Sequence, residues 1–180
     1  LVFGNDFNGT TADVINGTNG TTGINITGTG LRVENNSITG FTGNGVEVFG
    51  ATAINNPILG NSIYLNGEAG IKLIDSGNGD QAAPVLYSAL STNGSIVIRG
   101  SLTDATGVLT APAGDYRIEL FRNLAADEEG FPANASAFEG RFFVAGQNLP
   151  IGPGGSFSLT IPASATGPVD WLTATATSLS

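Results

Sequence analysis

Seven carboxylates fall within the first 80 residues: Asp6, Asp13, Glu34, Glu47, Glu68, Asp75 and Asp80. Two chemistries could use them. Paired carboxyl groups protonate a glycosidic oxygen and activate water opposite it, and clustered ones hold calcium against an acidic polymer. Either requires the groups to share one face, and here they come mostly one per stretch of two dozen residues, so no pair recurs in register. Arg32 and Lys72 are the only cations of this half, and the whole chain lacks histidine, the commonest general base. Cysteine and methionine are absent too, which removes thiol nucleophiles, disulfides and the usual zinc and copper ligands. The expectation is a protein that is not an enzyme and has no cofactor. One segment, D-S-G-N-G-D from Asp75 to Asp80, sets oxygen ligands Asp75, Asn78 and Asp80 among glycines, in the manner of a calcium loop. It lacks the closing bidentate glutamate, so a turn between domains is the favoured reading. Asp127 to Gly130 reads in the same way as a solvated hairpin tip.

The elements that would carry these groups repeat. Thr22-Gly23-Ile24-Asn25-Ile26, Asn44-Gly45-Val46-Glu47-Val48 and Ala69-Gly70-Ile71-Lys72-Leu73 share one pattern, a glycine followed by apolar, polar and apolar residues. Asn36-Ser37-Ile38 and Asn61-Ser62-Ile63 recur in phase with it, and Gly4-Asn5-Asp6-Phe7 is a more degenerate earlier copy. A period of two dozen residues belongs to solenoids, with one repeat per coil. Short strands are expected at 23–26, 31–34, 37–39, 45–49, 51–54, 62–65 and 70–74. Ile24, Ile26, Val46, Val48, Ile71 and Leu73 then point inward, and Glu34 and Glu47 outward. Asn36 and Asn61, with Asn5, either form an asparagine ladder at the turns or are there for turn propensity alone.

Composition sets further bounds. The 180 residues suit one domain or two small ones. Fifteen acidic against six basic residues give a net charge of −9, which disfavours nucleic acid and anionic membranes as partners. No apolar run is long enough to span a bilayer. N-x-S/T triplets at Asn8, Asn16, Asn19, Asn25, Asn35, Asn93 and Asn134 match the glycosylation acceptor pattern, which an Asn- and Thr-rich repeat also generates on its own.

Near residue 80 the repeat stops and longer alternating runs begin. Ser95 to Leu102, Tyr116 to Leu120 and Ser156 to Ile161 alternate apolar and polar residues; with 84–90, 138–145 and 169–178 they make six strands. Six strands separated by Gly-, Pro- and Asp-rich connections fit an immunoglobulin-like sandwich short of its last strand. Trp171 is read as core or edge packing rather than a sugar platform.

The stretch Asn55 to Leu73 resembles the right-handed parallel β-helix repeats of bacterial surface proteins and of polysaccharide-active enzymes related to pectate lyases. The later segments QAAPVLYSA, IVIRGSLT, YRIELFRN, FEGRFFV, GSFSLTI and WLTATATS, in that order, resemble the module that trails such repeats in large secreted bacterial proteins. The resemblance implies an all-β chain: a short right-handed parallel β-helix, a solenoid, over 1–80 followed by an antiparallel Ig-like β-sandwich over 81–180. It also implies an extracellular or cell-surface location of bacterial type. In proteins of this kind TATAT is followed by a turn and a further strand, and the repeat begins here mid-phrase at LVFGNDF. Both ends therefore read as unfinished, as in a piece of a longer protein or a subunit that joins copies of itself. The expected contact surfaces are Leu1, Val2, Phe3 and Phe7 at one end, and Trp171, Thr173, Thr175, Thr177 and Leu179 along the last strand. The leading expectation is a structural subunit of a surface or matrix filament, joined head to tail by coil stacking or strand complementation. A carbohydrate-binding or adhesive module with a polysaccharide partner is the alternative, and a lyase or hydrolase comes last.

Overall fold

The computed structural model describes residues 22–102, 111–123, 140–166 and 171–179 and the backbone of 14–16. It is all-β, with parallel and antiparallel sheets and, among the described residues, no helix beyond single 3-10 turns. Eight short strands come first: β1 (Val14–Asn16), β2 (Ile24–Ile26), β3 (Val33–Glu34), β4 (Ser37–Thr39), β5 (Val46–Phe49), β6 (Ile58–Leu59), β7 (Ser62–Tyr64) and β8 (Ile71–Ile74). Among themselves they pair in parallel, each with its counterpart one repeat away, in sheets ordered β1-β4-β7, β2-β5-β8 and β3-β6.

The register explains the repeated sequence. Ile24 stands against Val46 and Val46 against Ile71, while Ile26, Val48 and Leu73 form a parallel column. Ile24, Ile26, Val46 and Val48 are buried, and Ile71 and Leu73 pack on the same cluster with partial exposure. The glycine before each of these strands is dictated by space. A Cβ on Gly23 would lie 2.4 Å from the Gly45 carbonyl oxygen, and one on Gly45 would lie 2.7 Å from that of Gly70. Those carbonyls approach because the Ile24 and Val46 amides donate to them, at 2.9 and 2.8 Å.

Turns repeat as faithfully as strands. Left-handed backbone occurs at Gly30 and Asn55, Asn35 and Gly60, Gly40 and Leu65, and Gly50 and Asp75. Each pair is one repeat apart, and glycine or asparagine fills most of these positions because a Cβ is costly there. The asparagines beside the turns are buried. Asn61 Oδ1 accepts from the Asn36 backbone amide at 2.9 Å and from Asn36 Nδ2 at 3.1 Å, while its own amide donates to the Val33 carbonyl at 2.7 Å. The ladder alternative for Asn36 and Asn61 is therefore the observed one. It has companions that the sequence reading passed over: Asn56 serves Leu31 and Gly28, Asn66 serves Phe41 and Ile38, and Asn44 serves Ala69. Asn5 lies outside the described residues.

Six longer strands follow: β9 (Val85–Thr92), β10 (Ser95–Ser101), β11 (Gly114–Asn123), β12 (Phe142–Ile151), β13 (Ser156–Pro162) and β14 (Trp171–Ser178). They form two three-stranded antiparallel sheets, β13-β10-β9 and β12-β11-β14, consistent with a β-sandwich. One cluster lies between them, with Ile98, Leu102, Tyr116, Ile118, Leu120, Phe157, Leu159 and Ile161 at its centre. The alternation expected for β10, β11 and β13 places these side chains inward on one common core. Burial raises the pKa of Tyr116, whose hydroxyl donates to the Pro112 carbonyl at 2.7 Å.

Three local expectations are corrected. Residues 51–54 form no strand, because the Ala53 amide bonds back to the Gly50 carbonyl at 2.9 Å and closes a turn. The strand of that stretch is β6, two residues hidden between Pro57 and Gly60, whose Ile58 stands against Val33. Strand β12 runs on to Ile151, beyond the expected end near Ala145, because its far half pairs with residues 114–119 of β11.

Candidate functional site

The two groups of sheets meet where β11 and β12 approach the last repeat. Pairing with both neighbours covers the two edges of β11, and the face turned away from the sandwich core is covered too, since its Glu119 is 1% exposed. Glu119 Oε2 accepts from the Gly60 amide at 2.7 Å and Oε1 from Arg117 Nε at 2.8 Å. Beside it, Ile63 and Gly140 exchange both backbone bonds, at 2.8 and 2.9 Å, and the Ser62 hydroxyl donates to the Arg141 carbonyl. A Cβ on Gly140 would meet the Phe121 ring at 2.7 Å, so glycine is what allows this close crossing. The Arg141 guanidinium stacks between Tyr64, at 4.5 Å, and Phe142, at 4.9 Å, and Arg122 lies 4.9 Å from the same Phe142 ring. Cation-π contacts at such distances help to hold these side chains in place.

This contact covers β7 and leaves the rest of the last repeat facing an open space. A cavity of about 530 Å³ lies between Ile58, Ile63, Ile71 and Leu73 on one side and residues 173–179 on the other. Its lining is mainly apolar and includes the polar residues Asn56, Asn61, Asn78, Gln81 and Arg32. Strand β14 pairs with β11 alone among the described strands. Leu172, Ala174 and Ala176 pack on the sandwich core, whereas Thr173, Thr175, Thr177 and Leu179 alternate with them on the opposite face. Among the described residues, Thr175 Oγ1 is the one buried side-chain polar atom without a hydrogen-bond partner.

The expected contact residues Thr173, Thr175, Thr177 and Leu179 are thus brought together along one cavity wall. Trp171 sits at the start of the same strand, 58% exposed and outside the lining, so it is an edge residue and not a core one. Leu1, Val2, Phe3 and Phe7 lie outside the described residues, as do Asp6, Asp13, Asn8, Asn19, Asn134 and the tip at 127–130. Among the calcium candidates, Asn78 uses its side chain otherwise: Oδ1 accepts from the Asn56 amide at 3.0 Å and Nδ2 donates to the Asn56 carbonyl at 2.8 Å. Asp75 and Asp80 flank it in left-handed backbone. Among the described residues no three acidic side chains converge.

The outward carboxylates also differ from expectation. Glu47 is not simply solvated: its oxygens accept from Thr22 Oγ1 at 2.8 Å, Asn44 Nδ2 at 2.7 Å and Asn25 Nδ2 at 3.3 Å. Its register neighbours on the two sides are Asn25 and Lys72, which leaves it the lone carboxylate of its column. Glu34 pairs with Arg32. Sequence reasoning missed Glu119, Gly140 and Arg141, which make the junction. Their only signal was charge or glycine placed within apolar alternation.

No family model and no curated protein sequence matches this chain.

Proposed function

We propose that the protein is a non-catalytic extracellular structural protein, a subunit that joins copies of itself into a surface or matrix filament. In this proposal residues 1–80 are a short right-handed parallel β-helix and residues 81–180 an Ig-like β-sandwich set against its last coil. The observation that carries it is the position of β14, whose one partner among the described strands is β11, beside an apolar cavity, with the last coil's Ile71 and Leu73 only partly covered. Proteins ordinarily cover edge strands, and a cross-section of this kind is buried when a neighbour stacks on it. Glu47 alone in its column also supports a structural rather than a hydrolytic role.

Electron microscopy of the native, undigested material tests this. Regular filaments with a constant axial rise are expected. Dispersed compact particles at every concentration would overturn it and turn attention to sugar binding by Tyr87 and Trp171, which are 59% and 58% exposed.

A further inference from the structure

Strand β9 reads V-L-Y-S-A-L-S-T, without a charged residue or a proline. Strands that end a sheet are ordinarily kept from associating by one or the other. β9 ends the sheet β13-β10-β9, with β10 its one partner among the described strands, and all its residues but Leu86 are exposed. A bulge interrupts its first half: Leu86 stands against Gly100 and Ser88 against Arg99, with Tyr87 the extra residue. From Ser88 to Thr92 the register is unbroken, and its midpoint, Leu90, stands against Val97. Ile98, next to Val97, is fully buried in the sandwich core, so Val97 and Leu90 belong to the outer face. Leu90 is 63% exposed, the highest value of any large apolar residue described.

Charge selects what can cover this strand. The three strands of the sheet carry no carboxylate and a single cation, Arg99. In a chain of net charge −9, two copies can meet here without setting acid against acid. A contact between identical surfaces must also be complementary to itself. Antiparallel pairing of residues 88–92 about Leu90 satisfies this: Leu90 meets its own counterpart, Ala89 meets Ser91 of the other copy, and Ser88 meets Thr92. Each pair is an even number of places apart along the strand, so its members share a face. We infer that β9 pairs with β9 of a second copy across a two-fold axis, joining the two copies' three-stranded sheets into one. A two-fold contact closes on two copies, so it couples subunits in pairs and is separate from the head-to-tail joint proposed above.

The chain has no cysteine, so a single introduced thiol reports the contact. Opposed Cα atoms of an antiparallel pair lie about 4.5–5.5 Å apart, within disulfide reach. In the full chain, Leu90→Cys is expected to give disulfide-linked dimers on oxidation. In Ser88→Cys or Thr92→Cys the thiol lies about 13 Å along the strand from its own counterpart. Each of these is expected to cross-link little alone and readily when the two variants are mixed. Leu90→Lys, which sets like charges together at the axis, is expected to raise the dimer dissociation constant about ten-fold in sedimentation, equivalent to about 1.4 kcal/mol. Its circular dichroism should match that of the parent; if it misfolds, the cysteine variants decide. Cross-linking of Leu90→Cys no greater than that of Ser88→Cys or Thr92→Cys alone would overturn the contact, and filaments seen beside that result would leave the proposed function standing. Specific Leu90→Cys dimers without filaments would uphold the contact and remove the filament instead.

Discussion

At the scale of single residues, the repeat is held by backbone conformation as much as by side chains. Leu65 occupies a left-handed position with φ 54°, where the preceding repeat has Gly40 at φ 79°. For an L residue with a full side chain this conformation costs roughly 1–2 kcal/mol, and asparagine tolerates it better. Leu65 is 45% exposed, so little packing is lost on its removal. Leu65→Asn is therefore expected to stabilise the protein by about 1 kcal/mol, read as a rise in the chemical denaturation midpoint at unchanged slope. A fall in midpoint would mean that Leu65 contributes more by contact than its backbone costs.

At the scale of elements, the glycine preceding each repeat strand is a spacing device. Gly45 lies between Ile63 Cγ2 and the Gly70 carbonyl oxygen, at 2.6 and 2.7 Å from where a Cβ would stand. Gly45→Ala must push two stacked strands apart, and a loss of about 2 kcal/mol is expected, within the range for overpacked sites. Thermal unfolding would show it, and an unchanged midpoint would mean that the sheets slide past one another freely. These strands were legible in the sequence because glycine and the apolar alternation recur together, as in Gly45-Val46-Glu47-Val48. Strand β6 was not. Two residues between a proline and a glycine carry no period, and only Ile58 stacking under Val33 makes them a strand. The candidate site was legible in part for a related reason. Thr173, Thr175 and Thr177 announce an alternating strand, whereas Glu119 and Gly140 owe their positions to contacts 59 and 77 residues back in the chain, with Gly60 and Ile63.

At the scale of the whole molecule, the junction decides whether the two groups of sheets unfold together. Glu119 ties β11 to the turn at Gly60, and the Ile63–Gly140 bridge adds two backbone bonds. A hydrogen bond to a charged group contributes about 1.5–3 kcal/mol, and Arg117, which is partly exposed, adds less. Glu119→Ala is expected to cost about 2 kcal/mol and to split a single calorimetric transition into two. One transition at the parental temperature would show that the junction holds without the carboxylate. The parallel sheets have a mechanical consequence. Their backbone bonds, such as Ile24 to Gly45, Val33 to Pro57 and Ser62 to Asn36, all run from one repeat to the next. A tensile load along that direction cannot peel one strand at a time; it falls on bonds of all three sheets at once, so a fibre of such units would resist stretching as a rope of many short cords does.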